Sequence, residues 1–159
     1  MNYVFSSPDR VMVGTRGEVG ARLFLLQARE GRRLVVVKCE KQQLAALAQW
    51  LSVAISEMGR PGHLPENLEL EAEYEVDLVM GDVSLAVDPE ARHVDVVIDS
   101  ADDEDQLLLT LNAEWAGALA IEIVRLVEAG RPPCPLCGGP LDARGHDCPR
   151  TNGHRAPLR

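Results

Sequence analysis

The sequence predicts an α+β fold of two β-β-β-α pseudo-repeats, at about residues 10–59 and 82–130, with a mainly antiparallel sheet and two helices on one face. Two observations support this prediction. The apolar pattern of residues 22–61 recurs about 72 residues later, with one residue dropped before the closing Gly-Arg-Pro. Each copy also changes from short apolar runs to helical spacing. We therefore expect one duplicated domain over 1–130 and a small separate tail over 131–159.

The strands of the first repeat are expected in short apolar runs. The run in "RVMVG" leads into "GTRGEVG", whose glycines favour a wide hairpin turn. The runs "RLFLLQA" and "LVVVKCE" follow, and Gly31 between them permits a turn, which predicts a hairpin. The second repeat has the same order, with the acidic segment "DSADDEDQ" in the place of "REGRR".

Helical spacing closes each repeat. The first apolar stripe consists of Leu44, Leu47, Leu51, Ala54, Ile55 and Met58, and Gly59 supplies the stop. The second stripe consists of Leu119, Ile123, Leu126 and Val127, with Asn112 as the N-cap and Gly130 as the stop. The two helices should therefore bury these stripes against the sheet.

The linker between the repeats begins as a Pro/Gly loop and ends in alternating apolar residues. These residues are Leu70, Ala72, Tyr74, Val76 and Leu78. A period of two predicts one more strand here, and Tyr3–Phe5 is expected to be its counterpart near the start of the chain.

The charge is divided unevenly along the chain. Residues 1–130 carry 11 Lys and Arg against 23 Asp and Glu, a formal −12, whereas residues 131–159 carry +3. An acidic body repels phosphate backbones, so nucleic acid is expected to bind only through the basic tail, and the expected partner is a protein. The chain lacks a long apolar span and a basic leader followed by an apolar run, which predicts a cytoplasmic protein with no membrane contact. Pseudo-symmetry within one chain favours a monomer, and a homodimer through a sheet edge is the alternative.

The tail concentrates residues that bind metals. Cys134 and Cys137 form a Cys-x2-Cys pair, which is typical of one half of a tetrahedral zinc site, and Cys148 is the expected third ligand. The fourth ligand is His146 or His154. Spacing slightly favours His154, because His146 and Cys148 share a face only if the chain stays extended.

Four protein ligands leave no open position for a water molecule. The prediction is therefore one structural Zn²⁺ per chain, which would fold a zinc-ribbon-like tail that is too short to build its own core. A redox Cys-x-x-Cys pair is the rival interpretation. Such pairs normally begin a helix after a strand, whereas prolines surround this one, and the isolated Cys39 fits a reducing compartment.

Three segments resemble an actinobacterial family known as domain of unknown function 3090. They are "GTRGEVGARLFLLQAREG", "EKQQLAALAQWL" and "AGRPPCPLCGGPLDARGHDCPRTNGH". The resemblance covers nearly the whole chain and implies a cytoplasmic bacterial protein with a zinc-ribbon-like element and no assigned activity. In that family "GHxCPR" recurs and the last position of "NGH" is often Tyr, which favours His146. His154 departs from the pattern, and the choice between the two histidines stays open.

Other candidate sites are weaker. The acidic run Asp99–Asp105 lacks the glycine and the terminal glutamate of a calcium loop, so a solvated hairpin loop is expected. The glycines of "GTRGEVG" are not followed by a helix, which excludes a phosphate-binding loop. Arg10, Arg16 and Arg22 around them suggest a small anion site.

The remaining polar residues form no catalytic constellation. His63 and His93 are isolated and are expected at the surface or hydrogen-bonded, and Ser6 and Ser7 have no His or Asp nearby in the sequence.

Three hypotheses follow. The first is a non-enzymatic interaction module that presents a surface to a partner. The second is an enzyme or ligand-binding protein with its site at the seam between the repeats, where Arg22 and the acidic loop would share a cleft. The third is a thiol or zinc redox sensor based on Cys134 and Cys137.

Overall fold

A computed structural model of the chain describes residues 1–18 and 20–129, and these contain seven strands and two helices. The elements in chain order are β1 (Asn2–Phe5), β2 (Arg10–Arg16), β3 (Leu23–Glu30), β4 (Arg33–Cys39), α1 (Lys41–Met58), β5 (Leu78–Asp88), β6 (His93–Ser100), β7 (Gln106–Asn112) and α2 (Ala113–Glu128). The prediction of an α+β protein is confirmed, and Met1–Val127 form one compact unit.

The strands form a single mixed sheet in the order β1-β7-β6-β5-β4-β3-β2. The consecutive strands β2-β3-β4 pair antiparallel, as do β5-β6-β7. Two parallel contacts complete the sheet: β4 pairs with β5 over two residues, and β1 pairs with β7 over four. The predicted hairpins, and the strand at Tyr3–Phe5, are confirmed.

The sheet must be strongly curled. β1 and β2 lie at opposite ends of the strand order, yet only Ser6–Asp9 connect them. A flat sheet of seven strands would separate its edges by roughly 29 Å, whereas so short a connection spans at most roughly 18 Å. A contact between strands that are far apart in the strand order agrees with this curvature: the guanidinium carbon of Arg33 on β4 lies 4.6 Å from the centroid of the Phe5 ring on β1.

One face of the sheet and both helices build a single core. The core side chains alternate with outward-facing ones along every strand from β2 to β7, which is the expected period of two. The predicted stripe of α1 is confirmed: Leu44, Leu47, Leu51, Ala54 and Met58 are buried and Ile55 packs at the margin. On α2, Leu119 and Ile123 are buried, and the Asn112 side chain accepts a hydrogen bond from the Trp115 amide at 2.8 Å, as expected for an N-cap. Neither of these two helices is long and apolar enough to span a bilayer.

The prediction of a strand over Leu70–Leu78 is wrong for all but its last residue. Residues 59–77 contain no helix or strand, and β5 begins at Leu78. The segment contacts β2, β3 and β4 without forming a ladder with them. The apolar alternation does not mark a buried face, because Ala72 and Val76 are exposed. Leu70 lies directly over Gly14, where an added Cβ would come within 2.9 Å of the Leu70 side chain.

Polar contacts hold this linker in place. The Val13 amide donates to the Leu68 carbonyl at 3.1 Å, at the edge of β2. The fully buried Gln27 side chain accepts from the Glu71 amide at 2.8 Å and donates to the Glu71 carbonyl at 3.4 Å. The Glu71 carboxylate also forms a bidentate pair with Arg29, at 2.5 and 2.7 Å. As a result, the outer face of β2–β4, the first three-stranded unit of the sheet, is largely buried. The second three-stranded unit is β5–β7.

The Arg29 pair makes the attachment of the linker dependent on pH. Hydrogen bonding to Arg29 lowers the pKa of Glu71 below its ordinary value of 4.5. A carboxylate with a lowered pKa stabilises the fold above its ordinary pKa and loses that contribution as the pH falls through the folded value. Glu71→Gln should therefore be less stable than the wild type at about pH 6, and the gap should close towards about pH 3. Urea unfolding at a series of pH values measures this. Glu73→Gln, at an exposed position two residues away, is the matched control, and a gap that is constant with pH would contradict the prediction.

Candidate functional site

The contact between β4 and β5 is short and closed at both ends by side chains. At its start, the Asp77 carboxylate accepts from the Val36 amide and the Asp77 amide donates to the Val36 carbonyl, both at 2.9 Å. At its end, the Gln43 side chain on the first turn of α1 donates to the Met80 carbonyl at 2.9 Å and accepts from the Glu40 amide at 2.9 Å. Gln43 thus takes the place of the next β4 residue and ends the ladder.

β5 continues beyond this point with one edge free of strand partners in the part of the chain that the structure describes. The Val79 carbonyl accepts from Ala101 on the β6 side, so the next carbonyl, that of Met80, faces the β4 side. Beyond Val79 only β6 pairs with the strand, up to Asp88. A bulge lies between Met80 and Val83, where a Cβ added at Gly81 would come within 2.8 Å of the Asp99 carbonyl oxygen. The residue at the bulge is therefore restricted to glycine.

A groove of about 440 Å³ lies between this part of β5 and α1. Its lining residues are Gln42, Gln43, Ala46, Trp50, Gly81, Asp82 and Val83. Trp50 is 45 % exposed although it is one of the two tryptophans of the chain. Tryptophan combines a large apolar surface with a hydrogen-bond donor, and it is enriched where proteins bind partners. This groove is the candidate functional site.

Sequence reasoning did not single out the residues of the groove. The only available signal was Trp50, which lies beside the apolar stripe of α1 but outside it. Gln43, Gly81 and Asp82 acquire their importance from the point at which the β4–β5 ladder ends, and residue spacing does not reveal that point.

A second, smaller pocket of about 250 Å³ has a polar lining. It is formed by Ser6, Ser7, Pro8, Ala91, His93, Thr110, Asn112 and Trp115. The fold thus brings His93 and the two serines into one pocket although they lie far apart in the chain. Thr110 is already engaged, since its hydroxyl donates to Asp95 at 2.6 Å.

The expected cleft between Arg22 and the acidic loop is neither of the two pockets described above. The seam between the first three-stranded unit with its helix and the second does hold a groove, but neither pocket described above is lined by Arg22 or by Asp102–Asp105. The acidic loop is a hairpin turn between β6 and β7, as predicted, and its carboxylates cap it: Asp103 accepts from the Asp105 amide at 2.8 Å. Within residues 1–18 and 20–129 no three His, Cys, Asp or Glu side chains are grouped as metal ligands.

The suggested anion site at the arginines is not supported. The guanidinium of Arg10 donates to the carbonyls of Asn67 and Glu69, and that of Arg16 donates to the Leu70 carbonyl, at 3.3 to 3.5 Å. Two of the three arginines therefore bind the linker, because its extended backbone presents carbonyl oxygens to them.

Cys39 lies in the core and not in a site. It is 5 % exposed, and burial raises the pKa of its thiol to about 12. A thiol with so high a pKa is neither a nucleophile nor a ready metal ligand near neutral pH. The predicted ligands Cys134, Cys137, His146 and Cys148, and the alternative His154, lie outside the described residues.

Comparison with known proteins places the chain in a family. The family described as "Protein of unknown function (DUF3090)" matches residues 3–148, and the chain belongs to it. No curated protein and no solved structure matches the chain significantly.

Because Cys39 is buried, we predict that its thiol resists alkylation in the native protein. In the native protein at about pH 8, the peptide that contains Cys39 should stay unmodified by iodoacetamide, and it should react fully once urea unfolds the chain. Peptide-resolved mass spectrometry measures both states. Rapid modification of Cys39 in the native protein would show that the thiol is accessible.

Proposed function

We propose that this protein is a cytoplasmic, non-enzymatic interaction module that binds a protein partner in the groove between α1 and β5. The observation that carries the proposal is the half-exposed Trp50 beside a strand edge without a strand partner among the described residues. An aromatic anchor in a groove, surrounded by polar groups, is the usual composition of a binding hot spot.

The chemistry of the groove supports binding rather than catalysis. Gln42 and Gln43 are neutral amides, Ala46 and Val83 are apolar, and Asp82 is exposed. Two amides and an indole on α1, together with a carboxylate and an apolar side chain on β5, suit recognition of a chain that carries both apolar and cationic side chains.

The tail is the second part of the proposal. We infer that Cys134, Cys137, His146 and Cys148 hold one structural Zn²⁺. The donor set, three thiolates and one imidazole with a Cys-x2-Cys pair, suits tetrahedral zinc. The family match supports His146 as the fourth ligand, because it extends to Cys148 and does not reach His154.

A small-ligand function is the alternative, and the polar pocket at His93 favours it. Its hydroxyl, imidazole and amide groups suit a small polar molecule, and the pocket has a volume of about 250 Å³. The groove at Trp50 is larger and more open to a macromolecule, and for this reason partner binding is the preferred function.

The partner proposal predicts that Trp50→Ala abolishes an interaction without unfolding the protein. The wild-type chain is immobilised, the captured proteins are identified by mass spectrometry, and each is purified and titrated against the variants. Trp50→Ala should weaken binding of the true partner by at least about tenfold. Ile121→Ala, at a position of α2 that is 62 % exposed, is the matched control and should bind like the wild type. A partner that binds both variants equally would place the interaction elsewhere.

The zinc proposal predicts one zinc ion per chain in the purified protein. Elemental analysis of the wild type and of single variants measures it. Cys137→Ser and His146→Ala should lose the metal, whereas His154→Ala should keep it. If His154→Ala loses the zinc and His146→Ala keeps it, the fourth ligand is His154 and not His146. Zinc that mild peroxide releases reversibly would favour the redox sensor over the structural role.

A further inference from the structure

β2 and β5 are the first strands of the two three-stranded units, and each has an edge with few or no strand partners among the described residues. The linker covers part of the edge of β2. At β2, the extended linker approaches the edge and the Leu68 carbonyl accepts from the Val13 amide. β5 is the first strand of the second unit, and the repeat of the sequence aligns "RVMVGTR" of β2 with "DVSLAVD" of β5. In the part of the chain that the structure describes, no segment lies along the edge of β5 in the way that the linker lies along β2.

The side chains of β5 alternate over the length of this free edge. Val83, Leu85 and Val87 are half-buried and pack against the core, on the same side as the groove at Trp50. Ser84, Ala86 and Asp88 are exposed on the opposite side, and the exposed Asp82, beside the bulge, also lines the groove. A strand added to this edge would therefore present alternate residues to an apolar groove and to an acidic outer face.

Charge distinguishes the two edges. The aligned sequences place Asp82 and Asp88 on β5 where β2 carries Arg10 and Arg16. The arginines donate to carbonyl groups of the linker, whereas both aspartates are exposed, and Asp88 accepts only the amide of Ala91, at 3.1 Å, among the described residues. Within residues 1–18 and 20–129, neither Asp82 nor Asp88 belongs to an ion pair. A partner segment with Lys or Arg at alternate positions would supply the missing charges.

A second copy of the chain is a poor occupant of the same edge. Antiparallel pairing of two β5 strands about Leu85 would place Asp82 of one copy opposite Asp88 of the other. Like charges directly opposite each other destabilise a strand pair, and charged residues at an edge are a usual protection against self-association.

Resting on the proposed function, we propose that β5 is a docking edge for an extended basic peptide segment of the partner, which pairs with Gly81–Asp88 as an added strand. Its apolar side chains enter the groove at Trp50, and its basic side chains bind Asp82 and Asp88.

The proposal is tested with a synthetic probe and the full-length ¹⁵N-labelled protein. The probe is an end-capped peptide of about nine residues in which valine and lysine alternate, which matches the length of the free edge. The matched control peptide has the same sequence with N-methyl groups on alternate residues, which removes backbone donors and keeps the charge. NMR titration should shift the amide signals of Gly81–Asp88 with the probe, and the N-methylated peptide should bind at least about tenfold more weakly.

Protein variants separate the two contributions. Asp82→Lys combined with Asp88→Lys should weaken binding of the probe by about tenfold or more. Glu57→Lys combined with Glu73→Lys, an equal change of charge at exposed positions outside β5, should change binding by less than about twofold. Equal binding of both peptides, or shifts outside β5 and the groove, would overturn strand addition. If the probe fails to bind while a purified partner still depends on Trp50, this inference is wrong and the proposed function stands. If binding of the partner does not depend on Trp50, the proposed function is wrong, whatever the probe shows.

Discussion

The connection Ser6–Asp9 is the constraint on which the architecture depends. It joins β1 to β2 across the whole strand order, and it therefore forces the sheet to curl until its two ends approach. Curling brings the inward side chains of all the strands towards a common centre, which the apolar stripes of α1 and α2 fill. Polar contacts close the joint: the Ser7 amide donates to Glu30 and the Gly31 amide donates to Asp9, each at 2.7 Å.

The position of the candidate site at β5 follows from the point at which β4 ends and α1 begins. A strand in the middle of a flat sheet would be paired along its whole length, but β4 follows β5 for only two residues before α1 begins. Gln43 then satisfies the Met80 carbonyl, and beyond it this edge of β5 has no strand partner among the described residues. The groove at Trp50 thus lies where β4 and β5 diverge, and the start of α1 determines its position.

Local pattern predicted much of the fold and little of the site. The stripe on α1, the N-cap at Asn112 and the hairpins follow from contacts between residues close in sequence, and all were found. The parallel pairing of β1 with β7 joins distant segments, and no periodicity reports it. The alternation at Leu70–Val76 was misleading because Ala72 and Val76 are exposed, and the segment is held by polar contacts of Glu71 instead of a strand ladder. The groove was missed because it depends on where a ladder ends, which is a tertiary property.

The pairing of Asn2 with Gln106 also fixes an order of events during synthesis. β1 is made before every other described element, yet its strand partner is among the last elements of the described fold to be made. Until β7 emerges, Phe5 has no neighbour on that side, and the curled sheet stays open along one line. Closure of so distant a contact is entropically costly and slow. The nascent chain therefore exposes one edge of its core for most of its synthesis, and this interval is the one in which a chaperone would have the most to protect.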